Sequence, residues 1–184
     1  MSFRPALLPL LAALLLDAGA APAREARSDA LLLPRSAGIA EAVRAHALRW
    51  GPGVDLRKAL QAWVHQRGGA WAVTTVVGSL ARASVRCAGK DGYSDWAGPL
   101  EIVSLTGTLA ASGVHLHVAL ADSQGVTRGG HLGDGAIVFT TAEVVLTELV
   151  GISFQRLHDP CTGYRELVIE PTPHGGQNQP GGRR

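Results

Sequence analysis

Cysteine is scarce in this sequence of 184 residues, which contains only Cys87 and Cys161. Two cysteines cannot form the framework of several disulfides that holds many small secreted domains together, so a fold of that class is excluded. A single bridge between the two thiols requires an oxidising compartment, and we favour two free thiols.

Charged residues are also few: Asp, Glu, Lys and Arg make up 17% of the chain, whereas apolar residues make up 46%. So low a charge content in a small protein favours burial of part of its surface between subunits. The formal net charge of +2 is too small to indicate a nucleic-acid partner by itself.

No apolar run of the sequence reaches the length of a transmembrane helix. The run from Ala6 to Leu16 has the length found in signal peptides, follows the positive charge of Arg4, and precedes small residues that suit a cleavage site. If residues 1–23 are a cleaved signal peptide, the protein is secreted; otherwise they are a disordered extension of a cytoplasmic protein. Asp17 and Glu25 argue against a mitochondrial presequence.

Once the terminal segments are set aside, about 130 residues remain, which is the size of one ordinary domain. We predict that residues 1–37 are a targeting segment or disordered extension and that residues 38–170 are the folded domain. Residues 171–184 consist mainly of Pro, Gly, Gln, Asn and Arg and cannot bury a core, so we expect a disordered tail.

Hydrophobic periodicity predicts one helix and about eight strands in the folded part. Asp55 can cap a helix from Leu56 to about Gln66, which Gly68 and Gly69 end. We predict strands at 41–50, 70–80, 83–88, 99–109, 114–121, 136–150, 152–157 and 164–169, and a loop over 90–98. These elements indicate an α+β domain, mainly an antiparallel β-sheet with a flanking helix.

One strand carries closely spaced histidines. Strict alternation from Val114 to Ala121 places His115 and His117 on one face, roughly 7 Å apart along the strand. Gly125 suits the left-handed position that closes a three-residue hairpin loop. With that loop His117 lies opposite His131, with their Cβ atoms about 5 Å apart. The sequence therefore predicts a patch on which three imidazoles converge.

Three neutral imidazoles with an open fourth position are the ligand set of a catalytic-type zinc site. We therefore expect His115, His117 and His131 to bind one divalent metal, most suitably zinc, with an affinity that falls as the pH drops through about 6.5. The alternative is three surface or hydrogen-bonded histidines on a hairpin. A register error of one residue would send His131 to the other face.

The same register has one unfavourable consequence. It places Arg128 opposite Leu120, on the apolar face of the hairpin. We expect a β-bulge at Gly129 and Gly130 to redirect this arginine.

Two carboxylates, Glu101 and Glu143, interrupt otherwise apolar strands. Each is either a solvent-facing or structural residue, which is the commoner case, or an acid/base group that acts at or orients the metal patch. We favour the structural interpretation for both and keep the second as a hypothesis.

Several motifs occur in order along the folded part: RAHALRWGPGVDL from Arg44, PLEIVSLTGTL from Pro99, VHLHVALADSQG from Val114, GGHL from Gly129 and DPCTGYREL from Asp159. Together, over about residues 44–169, they resemble the plant and prokaryote conserved (PPC or PCC) domain in its stand-alone form. The resemblance implies an antiparallel sheet with a flanking helix, assembled as a homotrimer. Prokaryotic members with these histidine motifs bind zinc, which implies the same for His115, His117 and His131.

Three functions are compatible with these features. The first is a homotrimeric zinc-binding module for an unknown small molecule. The second is a zinc-dependent lyase or hydrolase, in which the metal polarises a carbonyl or activates water. The third is a DNA-binding protein like the plant relatives, whose Arg-Gly-Arg-Pro AT-hook binds A·T-rich DNA. The lack of such a hook and of a basic stripe argues against specific DNA binding. Whether the protein is an enzyme stays open.

Overall fold

The computed structural model describes residues 34–172. Most of the predicted targeting segment or extension and most of the predicted tail lie outside these residues. The described part contains eight strands and one helix: β1 (Ala42–Trp50), α1 (Leu56–His65), β2 (Trp71–Arg86), β3 (Ser94–Ala110), β4 (Gly113–Ala121), β5 (Thr127–Leu132), β6 (Ile137–Val150), β7 (Ile152–His158) and β8 (Arg165–Pro171). Among these residues, no helix combines the length and the apolar character needed to cross a membrane.

The strands form one six-stranded sheet in the order β1-β6-β2-β3-β4-β5 and a separate β7-β8 hairpin, with antiparallel pairing throughout. The end of β2 also pairs with β5, through Val85 with Leu132 and Arg86 with His131. Strands β2, β3, β4 and β5 therefore close on themselves at one end of the sheet. The predicted class, an α+β domain that is mainly antiparallel sheet with one flanking helix, is confirmed.

Helix α1 covers the apolar face of this sheet. Its spacing places Leu56, Leu60 and Val64 on one side, where all three are fully buried in the main core. Asp55 caps the helix by accepting a hydrogen bond from the Lys58 backbone N–H, and its other carboxylate oxygen accepts from the Gly135 N–H. The same aspartate therefore fixes both the start of the helix and the chain that leads into β6.

Two boundaries differ from the sequence-based prediction. The strands predicted at 70–80 and 83–88 are one strand, β2, with an irregular register near Leu80. The predicted loop over 90–98 ends earlier, because Ser94 already pairs with Val85 and Ala97 with Arg82. Pairing within the β2–β3 hairpin therefore outweighs the polar, glycine-rich composition of this segment.

The predicted hairpin register is confirmed. The Asp122 N–H donates to the Val126 carbonyl, Gly125 has a φ of +76°, and His117 pairs with His131. These three observations establish the three-residue loop between β4 and β5.

Arg128 does lie opposite Leu120, but the expected bulge is wrong, because regular pairing continues through Gly129 and Gly130. A Cβ atom at these two positions would lie 2.5 Å from the Val118 carbonyl oxygen and 2.6 Å from that of Arg86, respectively. The glycines therefore permit close approach of strands on both sides of β5. The Arg128 guanidinium is accommodated over the Trp96 ring, 4.9 Å from its centroid.

We predict that Gly107→Ala is strongly destabilising. Gly107 lies in β3 opposite Leu116, and an added Cβ would lie 2.0 Å from the His115 carbonyl oxygen. Because backbone must move to relieve this overlap, the free energy of unfolding should fall by about 2–4 kcal/mol. Urea unfolding measures the change. Gly92→Ala is the control, because its Cβ would meet nothing within 4 Å. Equal effects of the two substitutions would contradict the prediction.

Candidate metal centre

The three histidines converge as the register requires. His115 and His117 lie on the same face of β4, and the hairpin brings His131 across from His117. The ring centroid of His115 lies 5.0 Å from that of His117 and 5.0 Å from that of His131, and the centroids of His117 and His131 are 5.6 Å apart. Strand β3 lies on the other side of β4, with Thr108 and Thr106 as the partners of His115 and His117.

The nitrogen atoms of this cluster fit a metal ion in spacing and in chemistry. One ring nitrogen from each histidine lies within 4.8 Å of the others, and the Nε2 atoms of His115 and His117 are 3.2 Å apart. Two nitrogens on a tetrahedral zinc are about 3.3 Å apart, so this pair already matches. The Nδ1 atom of His131 is buried and has no hydrogen-bond partner in the described part of the chain. A metal would satisfy such an atom, because a buried polar group without a partner is costly.

The surroundings hold two of these imidazoles in the neutral form. Burial, then the charges of His115 and Arg86, lower the pKa of His131 to about 4. Burial, then the Arg156 guanidinium, also lower the pKa of His115. Neutral imidazole is the form that coordinates a metal. The lowered pKa values of His115 and His131 therefore favour the form of these two residues that binds a metal.

Neither predicted carboxylate belongs to the cluster. Glu101 is exposed and pairs with Ala121, which is about 13 Å along β4 from His117. Glu143 is exposed in β6, with Arg49 and Val77 as its sheet partners. Both positions agree with the solvent-facing or structural interpretation.

A cleft of about 690 Å³ opens beside His115 and His131 and brings together residues from distant parts of the chain. Its lining includes two carboxylates, Asp91 and Glu166, and five cationic side chains, those of Arg57, Arg86, Lys90, Arg156 and Arg165. Sequence reasoning missed these residues as site residues. Arg165 and Glu166 belong to the DPCTGYREL motif, which indicated only a family resemblance, and the other charged residues of the cleft belong to no motif that predicts a site.

The two cysteines are both free, with Cys87 half-buried and Cys161 exposed. The preference for two free thiols is therefore consistent with the structure.

The fold and the cluster define an α+β domain that carries three convergent histidines on a hairpin of its sheet. The chain belongs to the family of the Plants and Prokaryotes Conserved (PCC) domain, whose model matches residues 38–150. The bifunctional protein GlmU of Synechococcus sp. (strain JA-3-3Ab) is 44% identical to this chain over 129 residues. The match includes 70% of this chain but 21% of that protein, so the chain spans about a fifth of the length of this curated relative.

Two solved structures are similar over most of their own length. A hypothetical protein from Salmonella cholerae-suis is 38% identical, with a TM-score of 0.68, and the match covers 71% of this chain and 95% of that one. A protein from Archaeoglobus fulgidus that is described as metal-containing is 27% identical, with a TM-score of 0.58, and the match covers 70% of this chain and 96% of that one.

We predict that the metal-free protein loses stability as the pH falls from about 6.5 towards 4. In this range the unfolded chain takes up a proton at position 131 that the folded chain does not, because the pKa of His131 is about 4 when folded and 6.5 in the unperturbed state. The lowered pKa of His115 acts in the same direction. Urea unfolding of chelator-treated protein at about pH 7 and about pH 4.5 measures the loss.

His131→Asn should reduce this pH dependence, whereas His158→Asn, at an exposed position in β7, should leave it unchanged. A His131→Asn protein as sensitive to pH as the wild type would contradict the prediction.

Proposed function

We propose that this protein is a homotrimeric zinc-binding module in which His115, His117 and His131 hold one metal per subunit. The observation that carries the proposal is the convergence of three imidazoles of which one has a buried nitrogen without a partner. An all-nitrogen set of three ligands leaves one position of a tetrahedral metal for a further group. The cleft beside His115 and His131 has room for a small molecule at that position.

The description of the Archaeoglobus fulgidus protein as metal-containing supports the metal. Zinc is the best match because imidazole suits it and because it accepts a tetrahedral site, although nickel, copper and iron also bind imidazole. A ring nitrogen binds a metal through its lone pair, which is available only in a neutral imidazole, and the lowered pKa values of His115 and His131 favour that form.

A zinc-dependent lyase or hydrolase is the second candidate function, and the position of Glu166 supports it. Glu166 lines the same cleft as His115 and His131 and accepts a hydrogen bond from the Thr162 hydroxyl at 3.0 Å. When bound, the metal would supply Lewis acidity, and a carboxylate in the cleft could hold or move a proton on a bound molecule. Glu166 would then have the acid/base role that the sequence-based hypothesis gave to Glu101 or Glu143.

We predict that His131→Ala sharply reduces metal binding. Two ligands remain, so after zinc reconstitution and dialysis at neutral pH the variant should retain less than about a tenth of the metal of the wild type. Elemental analysis measures the content, and a thermal melt checks that the fold survives. His158→Ala, which removes an exposed histidine of β7, should bind metal as the wild type does. Equal content in wild type and His131→Ala, or none in either, would show that the three histidines are only surface residues.

Assembly into trimers is supported by apolar side chains on the sheet face opposite the core. Neighbouring strands β1, β6, β2 and β3 carry Val43, Phe139, Val77 and Val103, which are 66%, 47%, 60% and 58% exposed. These side chains do not form one row, because Val43 pairs with Leu149, ten residues along β6 from Phe139, but exposed apolar residues on one face of a sheet suit a surface that another protein covers. A second copy of this chain accounts for the coverage together with the low charge content.

We predict that the wild type elutes as a trimer at micromolar concentration and that Val77→Asp dissociates it, because a carboxylate would be buried without a partner. Light scattering after size exclusion measures the mass. Val126→Asp is the matched control, because Val126 is 55% exposed but follows the β4–β5 loop. A stable wild-type monomer would contradict trimer formation, and equal effects of both substitutions would contradict the assignment of this face.

A further inference from the structure

Arg156 is a buried cation without a salt bridge among the described residues, and the carboxylate whose charge acts on it, Glu166, lines the same cleft. Its side chain belongs to β7, and the residue is 5% exposed. One guanidinium nitrogen, Nη2, donates to the Thr108 hydroxyl, and Nη1 lies 3.5 Å from Nδ1 of His115, which is long for a hydrogen bond. In the described part of the chain no carboxylate oxygen forms a salt bridge with it. Burial of a charge without such a partner is costly, so its retention here requires an explanation.

The donors that Arg156 leaves unused point to a ligand. A guanidinium has five N–H donors, and its Nε is buried without a partner among the described residues. The backbone of Arg156 is held in place, because its N–H donates to the Ser112 hydroxyl and its carbonyl accepts from the Arg165 guanidinium. The guanidinium is held by its hydrogen bond to Thr108 and retains an Nε–H that no described residue accepts.

Unpartnered buried atoms concentrate in this cleft. In the part of the chain that the structure describes, four buried side-chain nitrogen or oxygen atoms have no partner: Arg57 Nε, His131 Nδ1, Thr141 Oγ1 and Arg156 Nε. The three residues that contribute nitrogens all line the cleft beside the histidines. The Nε–H groups of Arg57 and Arg156 are unused donors, which suit an acceptor-rich ligand, whereas the His131 nitrogen belongs to the proposed metal site.

The charge of the cleft indicates the sign of that ligand. Its five cationic side chains outnumber its two carboxylates, Asp91 and Glu166. Asp134 forms an ion pair with Arg57, but no ion pair of Arg86, Lys90 or Arg165 occurs among the described residues. Cationic side chains held together in a concave surface attract anions.

We propose that this cleft binds a small molecule through an oxyanion group, a carboxylate or a phosphate, which accepts hydrogen bonds from Arg156 and is attracted by Arg86. Arginine forks match both groups because each offers two acceptor oxygens at the spacing of two N–H donors. The proposal deepens the proposed function, since the cleft adjoins the metal centre and the oxyanion belongs to the small molecule of that site. The arginines do not need the metal, however, so the two proposals fail separately.

Isothermal titration calorimetry tests the proposal with the full chain, both zinc-loaded and chelator-treated. Inorganic phosphate and succinate are titrated separately at constant ionic strength set with NaCl, so that the two arms distinguish the phosphate from the carboxylate. We expect saturable binding of at least one probe in both forms of the protein. Arg86→Gln and Arg156→Met should each weaken that binding about tenfold or more, because each removes a charged donor.

Arg82→Gln is the matched control, because Arg82 lies on β2 with Arg86 but is exposed and does not line the cleft. A thermal melt shows whether Arg156→Met is folded; if it is not, Arg86→Gln decides the outcome alone. The proposal is overturned if neither probe binds wild type at about 10 mM, or if Arg82→Gln weakens binding as much as Arg86→Gln. Binding that requires zinc and is unchanged in Arg86→Gln also overturns it, because the metal alone would then hold the anion.

Discussion

The candidate site depends on one backbone constraint, the antiparallel register between β4 and β5. Because side chains alternate between the faces of a strand, a shift of one residue would place His131 on the face opposite His115 and His117. The three-residue loop that Gly125 closes fixes that register through the hydrogen bond from Asp122 to Val126. The second pairing of β5, with the end of β2, then holds the strand from its other side. A local turn and a long-range contact thus specify the same geometry.

The site is electrostatically unfavourable for an isolated protein. Five cationic side chains line the cleft beside the three imidazoles, and the mutual repulsion of these charges is relieved only in part by Asp91, Asp134 and Glu166. Burial favours the neutral forms of His115 and His131, which avoids adding their charges to this repulsion. The apolar core lies on the other face of β4, away from these charges. Sites that oppose stability in this way are typical of binding and catalysis, since a ligand of opposite charge removes the repulsion.

Membership of the PCC family defines the fold and leaves the chemistry to the site itself. The relative from Synechococcus carries the matching sequence within a much longer chain, so its activities concern a protein of which this chain spans about a fifth. The function therefore has to be argued from the residues that converge around the histidines. The buried guanidinium of Arg156 and the cleft beside it are the basis for proposing an anion as the ligand, which the fold alone does not indicate.

The sequence by itself determined the features that depend on local periodicity and turn chemistry. Alternation along β4, the cap at Asp55 and the loop closed by Gly125 predict their elements correctly, because each is decided by neighbouring residues. The tertiary structure decided what depends on contacts between distant segments. It joined the predicted strands 70–80 and 83–88 into β2, kept β5 regular through Gly129 and Gly130, and placed Arg128 over Trp96. It also assembled the cationic cleft from α1, β2, β7 and β8, which no periodicity records because its members share only their position in space.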